Sequence, residues 1–229
     1  MFSEIGGKEA KLSKFQQIVD IISEIRTKED EISGDRYSEY SIFVSGHSLG
    51  GALSQLLAFA LAFYSTRDHL PQPITAITIA SPQVGNRVWL TNFKQLEKEG
   101  FLRHIRLSND GDRVCVIPSL GYFQTGVNIH LYPNRKASIE YCKQWPRWAA
   151  IQCSSIGKMH LVCTYLDRLL LENNKDILSK SVEQLYEESV YGEDRMKEIN
   201  ELKSLLAKGD HVAAMYRDFF TVREDLNGC

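Results

Sequence analysis

The chain has 229 residues, of which 43% are hydrophobic and 24% charged, with a formal net charge of -2. That suits one ordinary globular domain with a core of its own and a short appendage. The near-neutral balance gives no reason to expect nucleic acid or an anionic membrane as partner, and no apolar run reaches the ~20 residues of a membrane-spanning helix.

Residues 8 to 27 place Leu12, Phe15, Ile18, Val19, Ile22 and Ile25 at helical spacing, which predicts an amphipathic helix lying on a core. KEDEISGDRYSEY reads as a charged turn, YSIFVSG as a strand, and residues 49 to 64 as an apolar helix. PITAITIASP (73 to 82) is a second apolar strand, Arg87 to Glu99 a helix, and FLRHIRLSN (101 to 109) a third strand. Strands alternating with helices at this spacing predict a mostly parallel sheet with helices on both faces, an α/β protein. VNIHLYP and ASIEYCKQW follow as short strands suited to a hairpin, and residues 160 to 173 as a helix. From Glu172 onward eight Lys/Arg face thirteen Asp/Glu. This acidic tail predicts helices over roughly 175 to 207 and 211 to 225, with Leu202, Leu205, Leu206, Met215, Phe219 and Phe220 as an apolar stripe. The expected division is 1 to 172 for the α/β domain and 173 to 229 for a helical extension.

The chemistry concentrates in SIFVSGHSLGGALSQLLAFALAF, residues 41 to 63. Gly-x-Ser-x-Gly between a strand and a helix is the pattern of a nucleophile elbow. A serine on so sharp a turn takes a strained backbone, and Gly46 and Gly50 are expected to leave it room. The turn lifts the Ser48 hydroxyl clear of the sheet. It also aims the backbone N–H of Leu49, at the helix N-terminus, at a developing oxyanion. The simpler alternative makes Ser48 a helix N-cap.

A serine nucleophile needs a histidine base oriented by a carboxylate. In this arrangement the partners follow in the order serine, acid, histidine. RLSNDGDRVCVIPS offers Asp110 and Asp112 after the third strand, and spacing alone does not choose between them. His47 and His104 precede the acid and are excluded by order. His130 shares a strand face with Asn128, and His211 lies in the acidic tail. His160, in a loop leading into a helix, is the best-placed base. The five cysteines (Cys115, Cys142, Cys153, Cys163, Cys229) show no paired metal spacing. MFSEIGGKEAKLSKF carries no apolar signal-peptide core. Reduced thiols and a cytoplasmic location are therefore expected.

These segments resemble the class 3 (fungal-type) lipases of the α/β-hydrolase superfamily. VSGHSLGGALSQLLA is similar to that family's elbow and following helix, and ASPQVGNRVWLTNF to its next strand and turn. RLSNDGDRVCVIPS resembles the acid loop in a register that selects Asp112, and KMHLVCTYLDRL resembles the segment bearing the family histidine, which selects His160. The resemblance spans about residues 8 to 171. It implies an α/β-hydrolase fold and a serine ester hydrolase working through Ser48, Asp112 and His160 without metal or cofactor. Its substrates would be lipid or acyl esters, most simply triacylglycerols, with phospholipids or galactolipids as alternatives and peripheral contact with lipid surfaces. The family's upstream Arg-Gly-Ser/Thr turn, source of a second oxyanion donor, has no counterpart here. The expectation is accordingly an N-terminally truncated relative, for which a catalytically impaired binding module is the competing reading.

Overall fold

A computed structural model describes residues 13–33, 40–68, 70–144 and 157–192. Five strands form one sheet in the order β1 (Phe43–His47), β2 (Ile74–Ile79), β3 (Leu102–Asn109), β4 (Val127–Leu131), β5 (Ser138–Tyr141). β1 to β4 run parallel. β5 returns antiparallel to β4 as the expected hairpin. Helix α2 (Leu49–Asp68) connects β1 to β2, and α3 (Arg87–Lys98) connects β2 to β3. The parallel pairing of β1, β2 and β3 follows from these helical crossovers, since a two-residue turn cannot return a strand in the same direction. β3 and β4 are joined by residues 110–126, where the only helix is a 3-10 turn, Val114–Val116. The chain therefore has the expected α/β arrangement, a mostly parallel sheet with helical crossovers.

Register assigns the two faces. Val44 pairs with Ala76, and Ile74 with Leu102; these side chains point to one side with Val19 of α1 (Lys14–Ser33), Ala58, Leu61 and Ala62 of α2, and Phe93 and Leu96 of α3. Phe59 stacks 4.4 Å from Trp89, and Phe15 meets the Tyr64 ring edge-on at 5.9 Å. Three helices thus share one apolar cluster on that face. On the opposite face α4 (Val162–Leu169) packs against β3 and β4, while Phe43 of β1 is 53% exposed. Burial of the shared cluster is the main stabilising term, at about 25 cal/mol per Å² of apolar surface.

α1 begins at Lys14 and runs to Ser33, so residues 28–33 of the stretch expected as a charged turn continue the helix, while 34–39 lie outside the described residues. The cause lies in KEDEIS itself: Lys and Glu are good helix formers, and Lys28 pairs with Glu24 one turn away at 2.7 Å. The helix expected over 160 to 173 is shorter, Val162–Leu169, with His160 ending a separate 3-10 turn, Lys158–His160.

Compact units form from Met1–Asn174 and Lys175–Cys229. Asn174 is tied to the first: its Oδ1 accepts the Ala137 N–H at 2.8 Å and its Nδ2 donates to the Arg168 carbonyl at 2.8 Å. In the second unit, a single turn α5 (Lys175–Leu178) is followed by α6 (Val182–Tyr191). Ser181 and Gln184 form a reciprocal capping box that starts α6 afresh, which splits the single long helix expected there. The remainder of that helix, the helix over 211 to 225 and the apolar stripe lie outside the described residues.

A polar seam crosses the interior. His104 is fully buried, its Nδ1 3.0 Å from Thr125 and its Nε2 3.0 Å from Thr78. Thr125 donates to Gln55, so the ring gives its Nδ1–H to Thr125 and accepts from Thr78 at Nε2, a neutral tautomer fixed by its partners. Gly126, at φ +71°, lets the backbone pass this ring: a Cβ there would lie 2.3 Å from the His104 carbonyl. Burial, with the Arg106 charge as a lesser cause, holds the His104 pKa down at about 3. Burial also depresses His130 to about 4, against an opposing pull from Asp110.

A histidine with a depressed folded pKa takes no proton while the unfolded chain does, so its contribution is present above pH 6.5 and is lost as pH falls toward 4. Wild type should therefore lose stability over that window through both His104 and His130, and a His130→Gln variant through His104 alone. Urea unfolding at stepped pH is expected to show the variant's deficit narrowing by about 1.4 kcal/mol per pH unit. A pH-independent deficit would contradict this assignment.

Candidate active site

β1 ends at His47, and the next residue, Ser48, sits at φ +56°, in the left-handed region that non-glycine residues rarely occupy. Its N–H is held by the Ile79 carbonyl at 2.9 Å, and its own carbonyl accepts the Ala52 N–H at 3.2 Å as α2 begins. The turn is a strand-to-helix elbow, and Ser48 is not a simple N-cap. Gly46 is required here: a Cβ would stand 2.4 Å from the Gly50 backbone and 2.7 Å from Ser54 Oγ. Gly50 plays a different part from the one expected, for a Cβ on it would meet nothing within 4 Å. Its backbone is what Gly46 packs against. The second position where a side chain is excluded is Gly51, whose Cβ would come within 2.8 Å of the Ser81 side chain.

The structure brings Ser48, Asp112 and His160 together. His160 Nε2 lies 2.7 Å from Ser48 Oγ, and its Nδ1 lies 3.0 and 3.2 Å from the two Asp112 oxygens. With Nδ1–H donating to the carboxylate, Nε2 is left as the acceptor of the serine proton. Asp110 is one turn residue away but points elsewhere, with its Oδ1 3.9 Å from His130 Nε2. His104 and His130 are buried in the interior, and His211 lies outside the described residues. Leu49 opens α2, so its N–H belongs to the first turn, where helix amides have no intrahelical partner and the dipole favours negative charge.

Asp112 is 2% exposed and well supplied with donors. Val114 N–H reaches its Oδ1 at 2.9 Å, and the Tyr165 hydroxyl donates to its Oδ2 at 2.7 Å. Tyr165 in turn accepts the Asn109 N–H at 3.0 Å and lies 3.3 Å from the Cys115 thiol. Burial foremost, with neighbouring Cys115 and Asp112 as further causes, pushes the Tyr165 phenol far above its ordinary pKa. Burial likewise pushes the Cys115 thiol up to about 12. Both groups therefore keep their protons and act as fixed donors.

Tyr165, Cys115 and Asn109 carry no role in the sequence reading. The available signal for Tyr165 was its place five residues after His160, a hydroxyl on an otherwise apolar helix start. His47 is set aside as a base by chain order, and the ring that hydrogen-bonds Ser48 Oγ is that of His160. It nevertheless touches the base: its Nε2 lies 2.8 Å from the His160 carbonyl and its ring 4.7 Å from the His160 ring.

Comparison with known proteins adds the lineage. A lipase of Rhizopus microsporus var. chinensis matches 64% of this chain and 50% of its own at 21% identity and a TM-score of 0.48. "Phospholipase A1-II 4" of Oryza sativa subsp. japonica is 31% identical over 192 residues, covering 81% of this chain and 45% of the relative. "Phospholipase A1-Igamma1, chloroplastic" of Arabidopsis thaliana is 36% identical over 112 residues, 47% of this chain and 21% of the relative. "Galactolipase DONGLE, chloroplastic" of the same plant is 34% identical over 101 residues, 43% of this chain and 20% of the relative. The chain thus spans less than half of each of these plant relatives. The family described as "Lipase (class 3)" matches residues 15–122, from α1 past the elbow and the acid loop. The elbow, the acid loop and strands β1 to β3 all fall within the matched residues, so over that stretch the chain is similar to the class 3 lipase family.

Proposed function

We propose that the chain is a serine-dependent carboxylic ester hydrolase of the lipase type. The observation that carries the proposal is the continuous relay from Ser48 Oγ to His160 Nε2 at 2.7 Å and from His160 Nδ1 to buried Asp112 at 3.0 Å. The Ser48 oxygen adds to the ester carbonyl carbon as its proton passes to His160 Nε2. The charge that forms on the carbonyl oxygen accepts the Leu49 N–H. Collapse expels the alcohol, which takes the proton back from His160, and leaves Ser48 acylated. A water molecule then repeats the sequence, giving its proton to His160 and releasing the carboxylic acid. Asp112 holds the imidazole tautomer throughout and stabilises the imidazolium.

The substrate class is the second part of the proposal. An ester of a triacylglycerol is the simplest assignment from the family, but the relatives above bear the names phospholipase A1 and galactolipase. Those names favour acyl esters of polar glycerolipids. Peripheral contact with a lipid surface is supported by the apolar side chains flanking the relay: Leu49 is 69% exposed beside Ser48, and Leu161 51% beside His160. Leu53 and Leu56, one and two turns along α2 from Leu49, are exposed as well. No helix among the described residues is long and apolar enough to cross a membrane.

A fluorophosphonate probe is expected to label the protein at Ser48, with label and esterase activity both abolished in Ser48→Ala. Asp112→Asn should fold normally yet lose about four orders of magnitude in kcat, because the amide stabilises the wrong tautomer. A folded wild type that takes no label would overturn the hydrolase proposal in favour of a lipase-like binding module. On mixed micelles of phosphatidylcholine, monogalactosyldiacylglycerol or triolein, acid release should be fastest from the two polar lipids. Preference for triolein would return the substrate class to triacylglycerols.

A further inference from the structure

The backbone around His160 is held in an unusual way. Lys158–His160 form a single 3-10 turn, and each of its three successive carbonyls accepts a side-chain donor. Thr164 Oγ1 donates to the Lys158 carbonyl at 2.8 Å, and Asn109 Nδ2 to the Met159 carbonyl at 3.1 Å. His47 Nε2 donates to the His160 carbonyl at 2.8 Å. The donors come from α4, from the end of β3 and from the end of β1 respectively. A short turn has few internal hydrogen bonds with which to fix its own shape, so these donors set where the imidazole stands.

The His47 bond differs from the other two in what it joins. His47 is the residue directly before the nucleophile, and Ser48 Oγ is itself 2.7 Å from the His160 ring. Two adjacent residues of one rigid turn therefore grip the base twice, at its backbone carbonyl and at its ring. Asp112 fixes the direction of the ring through Nδ1 but approaches from the β3 side, so it does not by itself set the serine-to-base distance. The His47 ring also lies tilted at 41° against the His160 ring, limiting how far the imidazole can swing when Ser48 becomes acylated.

We infer that His47 is a positioning residue that sets the Ser48–His160 distance by holding the His160 carbonyl from the nucleophile's own turn. The inference rests on the serine hydrolase proposal above. Because proton transfer demands hydrogen-bond reach between base and nucleophile, the loss should fall on the chemical step and spare ground-state binding.

The test compares His47→Phe, which keeps a ring against His160 but has no donor, with His47→Gln, which restores an N–H donor without the ring. With a soluble p-nitrophenyl ester, His47→Phe is expected to lower kcat about tenfold or more with KM nearly unchanged, the size of one lost hydrogen bond. His47→Gln should return kcat to within about threefold of wild type. Rates of fluorophosphonate labelling at Ser48 should follow the same order. In proton NMR, the His160 Nδ1–H should exchange with water faster in His47→Phe than in His47→Gln. Wild-type kcat in His47→Phe, a His47→Gln variant as slow as His47→Phe, or a change confined to KM would each overturn the inference. Absence of labelling in wild type would instead overturn the hydrolase proposal beneath it, so the two failures are distinct.

Discussion

The site depends on one backbone constraint, the left-handed conformation of Ser48. A non-glycine residue held at φ +56° costs on the order of 1–3 kcal/mol and persists only where its surroundings over-determine it. Here they do. The Ser48 N–H is taken by the Ile79 carbonyl of β2, its carbonyl starts α2, Gly46 abuts the Gly50 backbone, and Gly51 abuts Ser81. Sheet, helix and close backbone contact all require the same turn, and relaxing it would break the first hydrogen bond beyond β1 and the first of α2 together. The parallel order β1-β2-β3 then brings the ends of β1 and β3 to one edge of the sheet. The nucleophile and the acid meet there because both follow strands that end on that edge, as expected for functional loops of parallel sheets.

The histidine follows no such strand among the described residues, and side chains hold its turn in place. Asn109 and Arg168 both reach Met159, at its carbonyl and its sulfur, and Arg168 also donates to the Asp110 carbonyl at 2.9 Å. The guanidinium thereby ties the helix after the base to the turn that carries the acid. The cost of burying Arg168 is offset by several acceptors, as a buried charge requires. Loop and acid are located relative to each other by this residue, and relative to the nucleophile by the turn at His47 and Ser48.

The elbow was legible in the sequence because its requirements are local: a strand, a glycine, a serine and a helix within a few residues of each other. The same holds for the strands, whose apolar run between Ile74 and Ile79 and alternating pattern between Leu102 and Asn109 are bounded by clear breaks. Chain order narrowed the base to His160 and left Asp110 and Asp112 open, since both occupy good turn positions. What separates them is tertiary: Asp112 alone meets Tyr165 and His160, while Asp110 points toward His130. The exchange between Gly50 and Gly51 was invisible for a similar reason. Which glycine must lack a side chain depends on where Ser81 of the next strand's loop lies, and no local pattern encodes that. The extension of α1 through KEDEIS was a misjudgement of composition, since those charges favour a helix as much as a turn.

The relay also settles where a proton can travel. Asp112 accepts from His160, Val114 and Tyr165, and Tyr165 in turn receives the Asn109 N–H and neighbours the Cys115 thiol. A chain of hydroxyl, carboxylate and imidazole invites the idea of a proton passing along its whole length. Burial opposes this at the far end, because it drives the Tyr165 phenol far above its ordinary pKa and the Cys115 thiol to about 12. Both groups keep their protons near neutral pH: Tyr165 donates directly to the carboxylate, and Cys115 lies against the Tyr165 hydroxyl. Movement is confined to the short bond between Ser48 and His160, and everything beyond Asp112 serves to keep that carboxylate still. The buried donors and the strained serine turn are thus two halves of one device, one immobilising the acid and the other presenting the nucleophile to the base between them.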